Sequence, residues 1–282
     1  MKKILVTGAT GFIGNYIVEE LLKHNYSVIA SSSNIESAST QKWFDQVTFK
    51  PLDLRNIDNN ANYFEYFDQP DAMVHLAWEG LPNYKDNFHL TENLPRHLKL
   101  LTNLIDYGLT DLTVTGTCLE YGLQQGCLNE NMECVPSNPY AVAKNELRKS
   151  LESLNKIKKF NFKWVRLFYM YGRGQNSNSL ISQLEKAIDN KEPVFNMSGG
   201  AQIRDFLPVE KVAGNLVKIA LQNNVSGIIN CCGGLPITIK DFVAQYLIKI
   251  NKSINLNFGF YNYTDYEPME FWGDIKKLKS IK

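Results

Sequence analysis

Ile4-Leu5-Val6-Thr7-Gly8-Ala9-Thr10-Gly11-Phe12-Ile13-Gly14 is the stretch whose reading decides the fold. The apolar run Ile4-Leu5-Val6 has the character of a strand buried on both faces of a parallel sheet. It enters a turn with glycines at 8, 11 and 14, and an amphipathic segment over residues 16–24 follows. Strand, glycine-rich turn and helix in that order are what a dinucleotide phosphate site requires. One glycine permits the tight turn, one lets backbone approach the pyrophosphate, and one lets the helix pack on the strand. The helix N-terminus adds free N–H groups and the positive end of its dipole. The spacing is Gly-x-x-Gly-x-x-Gly, not Gly-x-Gly-x-x-Gly, and the flanking strand and helix are what give it weight.

Beyond this turn, strands and helices alternate. Residues 26–30, 47–49, 72–77, 112–114 and 163–169 read as strands two to six, with a long helix over 89–107 and another from Asn138. This predicts an α/β protein, a Rossmann-type doubly wound parallel sheet formed by residues 1–175 and 206–232. The pattern changes after the sixth strand. Helices over 177–190 and 240–250 and a short strand at 194–196 precede an aromatic, irregular tail. Residues 176–205 and 233–282 are expected to form a smaller C-terminal α/β substrate-binding cap. Helix 209–223 and strand 227–231 return to the main sheet.

At 282 residues the chain can bury a large core, and its net charge of +1 gives no sign of nucleic acid or of an anionic membrane as partner. Cys118, Cys127, Cys134, Cys231 and Cys232 are odd in number and lack Cys-x-x-Cys spacing, which argues against a disulfide framework or a metal site. The basic N-terminus leads into an apolar run that the glycine turn cuts short, and no 18-residue apolar stretch follows. A cytoplasmic protein is expected.

The reactive groups are expected around Asn138-Pro139-Tyr140-Ala141-Val142-Ala143-Lys144. Asn138 can cap a helix and Pro139 suits its first position. Tyr140 and Lys144 then share one helix face, and an ammonium nearby lowers the pKa of a phenol enough to pass a proton near neutral pH. Tyr-x-x-x-Lys is common on helices, and the dinucleotide turn is what raises its meaning. A hydroxyl at the end of the fifth strand, in Thr115-Gly116-Thr117, can hydrogen-bond a substrate carbonyl beside that phenol. After the second strand comes Ser31-Ser32-Ser33-Asn34, with no acid before Glu36 to hold a ribose 2′-hydroxyl. Small hydroxyls accommodate a 2′-phosphate, which favours NADP (NADPH); no arginine stands nearby to clinch it, and NAD stays possible. Asp53 suits either an acceptor for the adenine amino group or a turn cap. His75 reads as a packed strand-end histidine. Trp78, Glu79, Asn83 and Tyr84 follow the fourth strand, where ligands bind in open α/β sheets.

Thr7 to Gly14, Asp53-Leu54, His75-Leu76-Ala77, Thr117 with Tyr121-Gly122, Pro139-Tyr140 with Lys144, and Arg204-Asp205-Phe206 jointly resemble the extended short-chain dehydrogenase/reductases. The stretches Trp78 to Tyr84, Thr115 to Tyr121 and Phe271-Trp272-Gly273-Asp274 resemble the nucleotide-sugar branch, in particular the dTDP-4-keto-6-deoxyhexose 4-reductases that form dTDP-6-deoxytalose or dTDP-fucose. The resemblance implies an NADPH-dependent reductase of deoxysugar and O-antigen assembly, and usually a homodimer. Tyr140 would protonate the C4 oxygen, Lys144 would hold the nicotinamide ribose and depress Tyr140, and Thr117 would hydrogen-bond the ketone. Gly8, Thr10, Gly11, Phe12, Ile13, Gly14, Ser31, Ser32, Ser33, Asp53, Leu54, Leu76, Ala77 and Trp78 would bind cofactor beside Tyr140 and Lys144. Trp78, Glu79, Tyr84, Asn93, Thr117, Cys118, Tyr140, Tyr169 and Arg204 would bind substrate, with Arg204 facing its diphosphate or else ion-paired to Asp205. Tyr169 stands where family epimerases usually carry an asparagine. A nucleotide-sugar 4-epimerase using bound NAD is the alternative, and a non-catalytic dinucleotide-binding protein a distant third.

Overall fold

Short runs of β-branched and large apolar residues build the centre of the molecule, a computed structural model that describes residues 1–263, 265 and 267–281. The strands are β1 (Lys3–Thr7), β2 (Ser27–Ser31), β3 (Thr48–Phe49), β4 (Ala72–His75), β5 (Asp111–Thr117), β6 (Asn161–Leu167) and β7 (Gly227–Cys231). They form one parallel sheet in the order β7-β6-β5-β4-β1-β2-β3. The order reverses between β1 and β4, so a crevice opens outside their carboxyl ends, the position where such sheets bind ligands.

Successive residues of a strand face opposite sides, and the chain uses both. Ile4, Val6, Val28 and Val74 pack under α1 (Phe12–Lys23) through Ile17, Val18 and Leu21. Leu5, Ile29, Met73 and Leu112 pack under α2 (Leu94–Asp106) and α3 (Pro139–Lys158) through Leu100, Leu104, Leu147 and Leu151. Each fully buried side chain of this size contributes ~1.5–3 kcal/mol. A separate core joins α4 (Leu180–Asp189), the strand Val194–Asn196 and α6 (Ile239–Lys249) through Ile181, Leu184, Phe195, Phe242 and Val243. Phe206 stacks on Phe242 at 3.9 Å, just before α5 (Val209–Leu221) returns to the α1 side of the main sheet.

Two expected elements differ. The sixth strand ends at Leu167, which pairs with Thr117 and Cys231, the last residues of both neighbours. The chain beyond it takes a new partner, and Tyr169–Tyr171 runs parallel to Phe206–Pro208. The helix expected over 89–107 opens as a π-turn, His89–Asn93, before α2. Pro95, which has no N–H to bond the preceding turn, stands in the first turn of α2. Among the described residues no helix is long and apolar enough to cross a membrane.

Candidate active site

The glycine turn leaves no room for side chains. Gly8 has φ +71°, and a Cβ there would stand 2.7 Å from the Ala77 nitrogen. A Cβ on Gly14 would come within 2.1 Å of the Gly8 carbonyl oxygen. Gly11 caps α1 without a side-chain bond, so the first N–H groups of the helix remain for an anion. This cradle fits a dinucleotide pyrophosphate. The cleft it borders encloses about 400 Å³. Gly8, Gly11, Phe12 and Ile13 line one side, Leu76, Trp78, Thr117 and Tyr140 the floor, and Tyr84, Cys118, Tyr169 and Glu267 the far side.

Tyr140 enters the floor because Asn138 caps α3: its side chain accepts from the Ala141 N–H at 2.9 Å. The Tyr140 N–H donates to the Tyr84 carbonyl at 3.1 Å. The Thr117 hydroxyl stands by the phenol, on which it acts to lower the pKa. That hydroxyl also accepts from the Leu119 N–H at 3.2 Å, while Glu120 accepts from the Thr117 N–H at 2.9 Å. Glu120 is itself buried and held by Arg166 and Trp164 at 2.9 Å each. The hydroxyl is thus fixed from behind by an ionic network.

Lys144 is buried, donates to the Thr115 carbonyl at 2.9 Å and lies 4.0 Å above the centre of the Trp78 ring. Burial lowers its pKa to about 7, against the pull of Glu120. The expected depression of Tyr140 is not present in this state. Burial first, then Tyr84, Glu120 and Cys118, push the phenol up, and the Thr117 hydroxyl opposes them. The ammonium has turned to a carbonyl and an indole face, the partners a water-poor floor offers.

Under Trp78 lie three histidines. Thr7 Oγ1 bonds His75 Nδ1, and His75 Nε2 bonds His97 Nδ1, both at 2.7 Å. His97 stacks on Trp78 at 4.5 Å, and the indole N–H donates to His89 Nδ1 at 3.1 Å. His89 Nε2 therefore carries the proton and donates to the Asn83 carbonyl at 3.0 Å. Burial lowers His75 to about 3 and His97 well below its usual value, so both are neutral. His75 is packed, as expected. His89 and His97 were not foreseen as parts of the site, although His89, Asn93 and His97 recur every four residues on one helix face, a readable signal.

Most expected residues converge on the cleft, but several do not. Ala77 abuts Gly8, and the Thr10 carbonyl accepts from Asn15 at 3.2 Å on the turn. Ser31, Ser32 and Ser33 lie at the end of β2, where the Ser31 carbonyl takes the Ala9 N–H at 3.1 Å and the Ser32 carbonyl the Leu52 N–H at 3.0 Å. Asp53 caps the turn Leu54–Asn56, and Arg55 holds both of its carboxylate oxygens, which favours the cap over a free adenine acceptor. Glu79 pairs with Arg96 at 3.7 Å and Arg55 at 4.0 Å, away from the cleft lining. Asn93 is buried and donates to the Glu79 carbonyl at 2.9 Å, so it braces the loop from below. Arg204 does not face the cleft either. It is buried, its partner is Glu267 at 2.9 Å, and Asp205 instead accepts from the N–H groups of Gly233 and Gly234 at 2.7 Å. Phe168, Met170, Gln175, Asn176 and Glu267 line the cleft without having been singled out in the sequence.

A phosphate cradle beside a buried phenol, hydroxyl and ammonium defines a dinucleotide-dependent α/β oxidoreductase. The chain belongs to the NAD dependent epimerase/dehydratase family, the extended short-chain dehydrogenase/reductases, which its sequence matches over residues 4–232. It is 30% identical, over 96% of its length and 98% of the relative's, to a dTDP-6-deoxy-L-talose 4-dehydrogenase (NAD(+)) from Aggregatibacter actinomycetemcomitans. A UDP-glucuronate 4-epimerase from Thermodesulfobacterium geofontis is 26% identical over 98% of this chain and 89% of its own. The solved structure of a UDP-glucuronic acid 4-epimerase from Bacillus cereus, in complex with UDP-glucuronic acid and NAD, matches with a TM-score of 0.84 at 25% identity. That match covers 99% of this chain and 92% of the other.

Proposed function

We propose that this protein reduces the C4 ketone of a dTDP-linked 4-keto-6-deoxyhexose. The observation that carries the reading is the Thr117–Tyr140 hydroxyl pair, buried on the cleft floor within the same cavity as the glycine turn. A bound reduced nicotinamide supplies hydride. Tyr140 donates its phenolic proton to the C4 oxygen, and Thr117 donates a hydrogen bond to that oxygen. The phenol carries its proton at neutral pH, and a charged Lys144 brought beside it would ease the release of that proton. Lys144 is within reach of the floor and would leave the Thr115 carbonyl for the ribose hydroxyls. The similarity to a dTDP-6-deoxy-L-talose 4-dehydrogenase supports both the nucleotide and the position on the sugar. Residues 176–205 and 233–282 serve as the substrate cap, in a cytoplasmic homodimer that supplies deoxysugar or O-antigen assembly.

NADPH is the preferred reductant on this reading, because hydroxyls and no acid occupy Ser31 to Ser33. Arg55, beyond the third strand, is engaged by Asp53, so those hydroxyls would carry the selection. A 4-epimerase with tightly held NAD is the second reading, favoured by the epimerases among its relatives. The deciding measurement is loss of reduced-nicotinamide absorbance with dTDP-4-keto-6-deoxyglucose, run with NADPH and with NADH. Stoichiometric loss, faster with NADPH, is expected. No loss from protein that purifies with NAD bound would establish the epimerase.

A further inference from the structure

The two sides of the cleft differ in charge. Among the described residues that line it, Glu267 alone carries a formal charge. Its carboxylate accepts from Arg204 Nη2 at 2.9 Å and stays 15% exposed, whereas the Arg204 side chain behind it is 1% exposed. Arg204 is pinned further by the carbonyls of Ile203 and Met269, at 2.9 and 3.2 Å, and lies over the Phe271 ring. The pair is therefore a dipole with its negative end toward the cleft. Two wall groups register that field. Glu267 raises the pKa of Cys118 more strongly than Arg204 lowers it, and the same order holds at Tyr169.

We infer that Glu267 makes the sugar end of this cleft select a neutral hexose and reject a uronate. The inference rests on the nucleotide-sugar reading and adds the charge class of the sugar. A carboxylate in the wall accepts hydrogen bonds from sugar hydroxyls, whereas a second carboxylate brought beside it meets like-charge repulsion in a poorly hydrated site. Arg204 is not placed to receive the uronate instead, because it is 1% exposed, does not line the cleft and already holds Glu267 and two carbonyls. The nucleotide diphosphate is common to both sugars and cancels from the comparison.

The test is calorimetric binding of dTDP-glucose and dTDP-glucuronate to full-length protein saturated with dinucleotide. The unmodified protein should favour the glucose compound by about 10-fold or more. Glu267→Gln should bring the two within about 3-fold by admitting the uronate, and Glu267→Asp should keep the discrimination. Retained dTDP-glucose binding by the variants shows that they fold. Equal affinities in the unmodified protein, or a ratio unchanged in Glu267→Gln, would overturn the inference. So would equal tightening of both sugars in that variant, which would make Glu267 a placeholder for phosphate on Arg204. If neither sugar binds, the nucleotide-sugar reading falls and takes this one with it. Firm dTDP-glucose binding with a flat ratio sinks this one alone.

Discussion

The two ends of the cleft are made of different material. At the glycine end, backbone does the shaping: Gly8 and Gly14 are defined by what a Cβ would strike, and α1 presents bare N–H groups. At the far end, side chains do it: Tyr84, Cys118, Tyr169 and Glu267 come from four separated segments, with Glu267 held by Arg204 and the Tyr169 ring packed on Phe206. A backbone site requires a local sequence and a fixed geometry, so it serves any ligand with a pyrophosphate. A side-chain site can be rebuilt one residue at a time, which suits the part of a cleft that tells one sugar from another. Between them lies the floor, where Thr117 and Tyr140 meet.

The sharpest way to break the comparison is at the floor. Tyr140→Phe removes the proton donor but leaves the ring packed against Tyr84 and Trp78. We expect kcat to fall by about 10²–10⁴-fold with dinucleotide affinity nearly unchanged, as read by single-turnover kinetics and cofactor titration. A variant that keeps most of its rate would remove Tyr140 from the chemistry.

The glycine end should yield next. Gly14→Ala places a methyl 2.1 Å from the Gly8 carbonyl oxygen and 2.8 Å from Ala9 backbone atoms. Backbone has to shift, at a cost of about 3 kcal/mol in stability and a marked loss of dinucleotide binding. Gly11→Ala, whose Cβ would meet only the Gly8 oxygen at 3.1 Å, should cost about 1 kcal/mol or less. Equal melting temperatures for the two variants would show that the turn is looser than its geometry.

This contrast also explains what the sequence could disclose. The glycine turn, the Asn138 cap and the Tyr140–Lys144 spacing are local, and all three stand where the residues alone put them. The parallel sheet was legible for the same reason, each strand being bounded by its own turn. The partners were not. Arg204 reads as a phosphate ligand until Glu267 arrives from 63 residues later in the chain to hold it. Lys144 reads as a companion of Tyr140 until Trp78 and the Thr115 carbonyl, from two other strand ends, take its ammonium. Local spacing fixes where a side chain starts, and the packed interior decides what it touches.

Lys144 allows the smallest but most direct test of that interior. Its pKa of about 7 in the folded protein lies well below the 10.5 expected of an unfolded chain. Between these values the unfolded chain holds a proton that the folded one has released, so stability rises with pH from about 7 upward. Below about 7 both states are protonated, and the folded state bears the full cost of a buried ammonium. Denaturant melts of the unmodified protein and of Lys144→Met, compared at pH 7 and pH 8, cancel the other titrating groups. The unmodified protein should gain roughly 1 kcal/mol relative to the variant over that interval. A difference that stays flat would mean that the ammonium on Trp78 is solvated well enough to keep its ordinary pKa. The floor would then be wetter than the cleft wall beside it, and Lys144 would already be charged and free to meet the ribose.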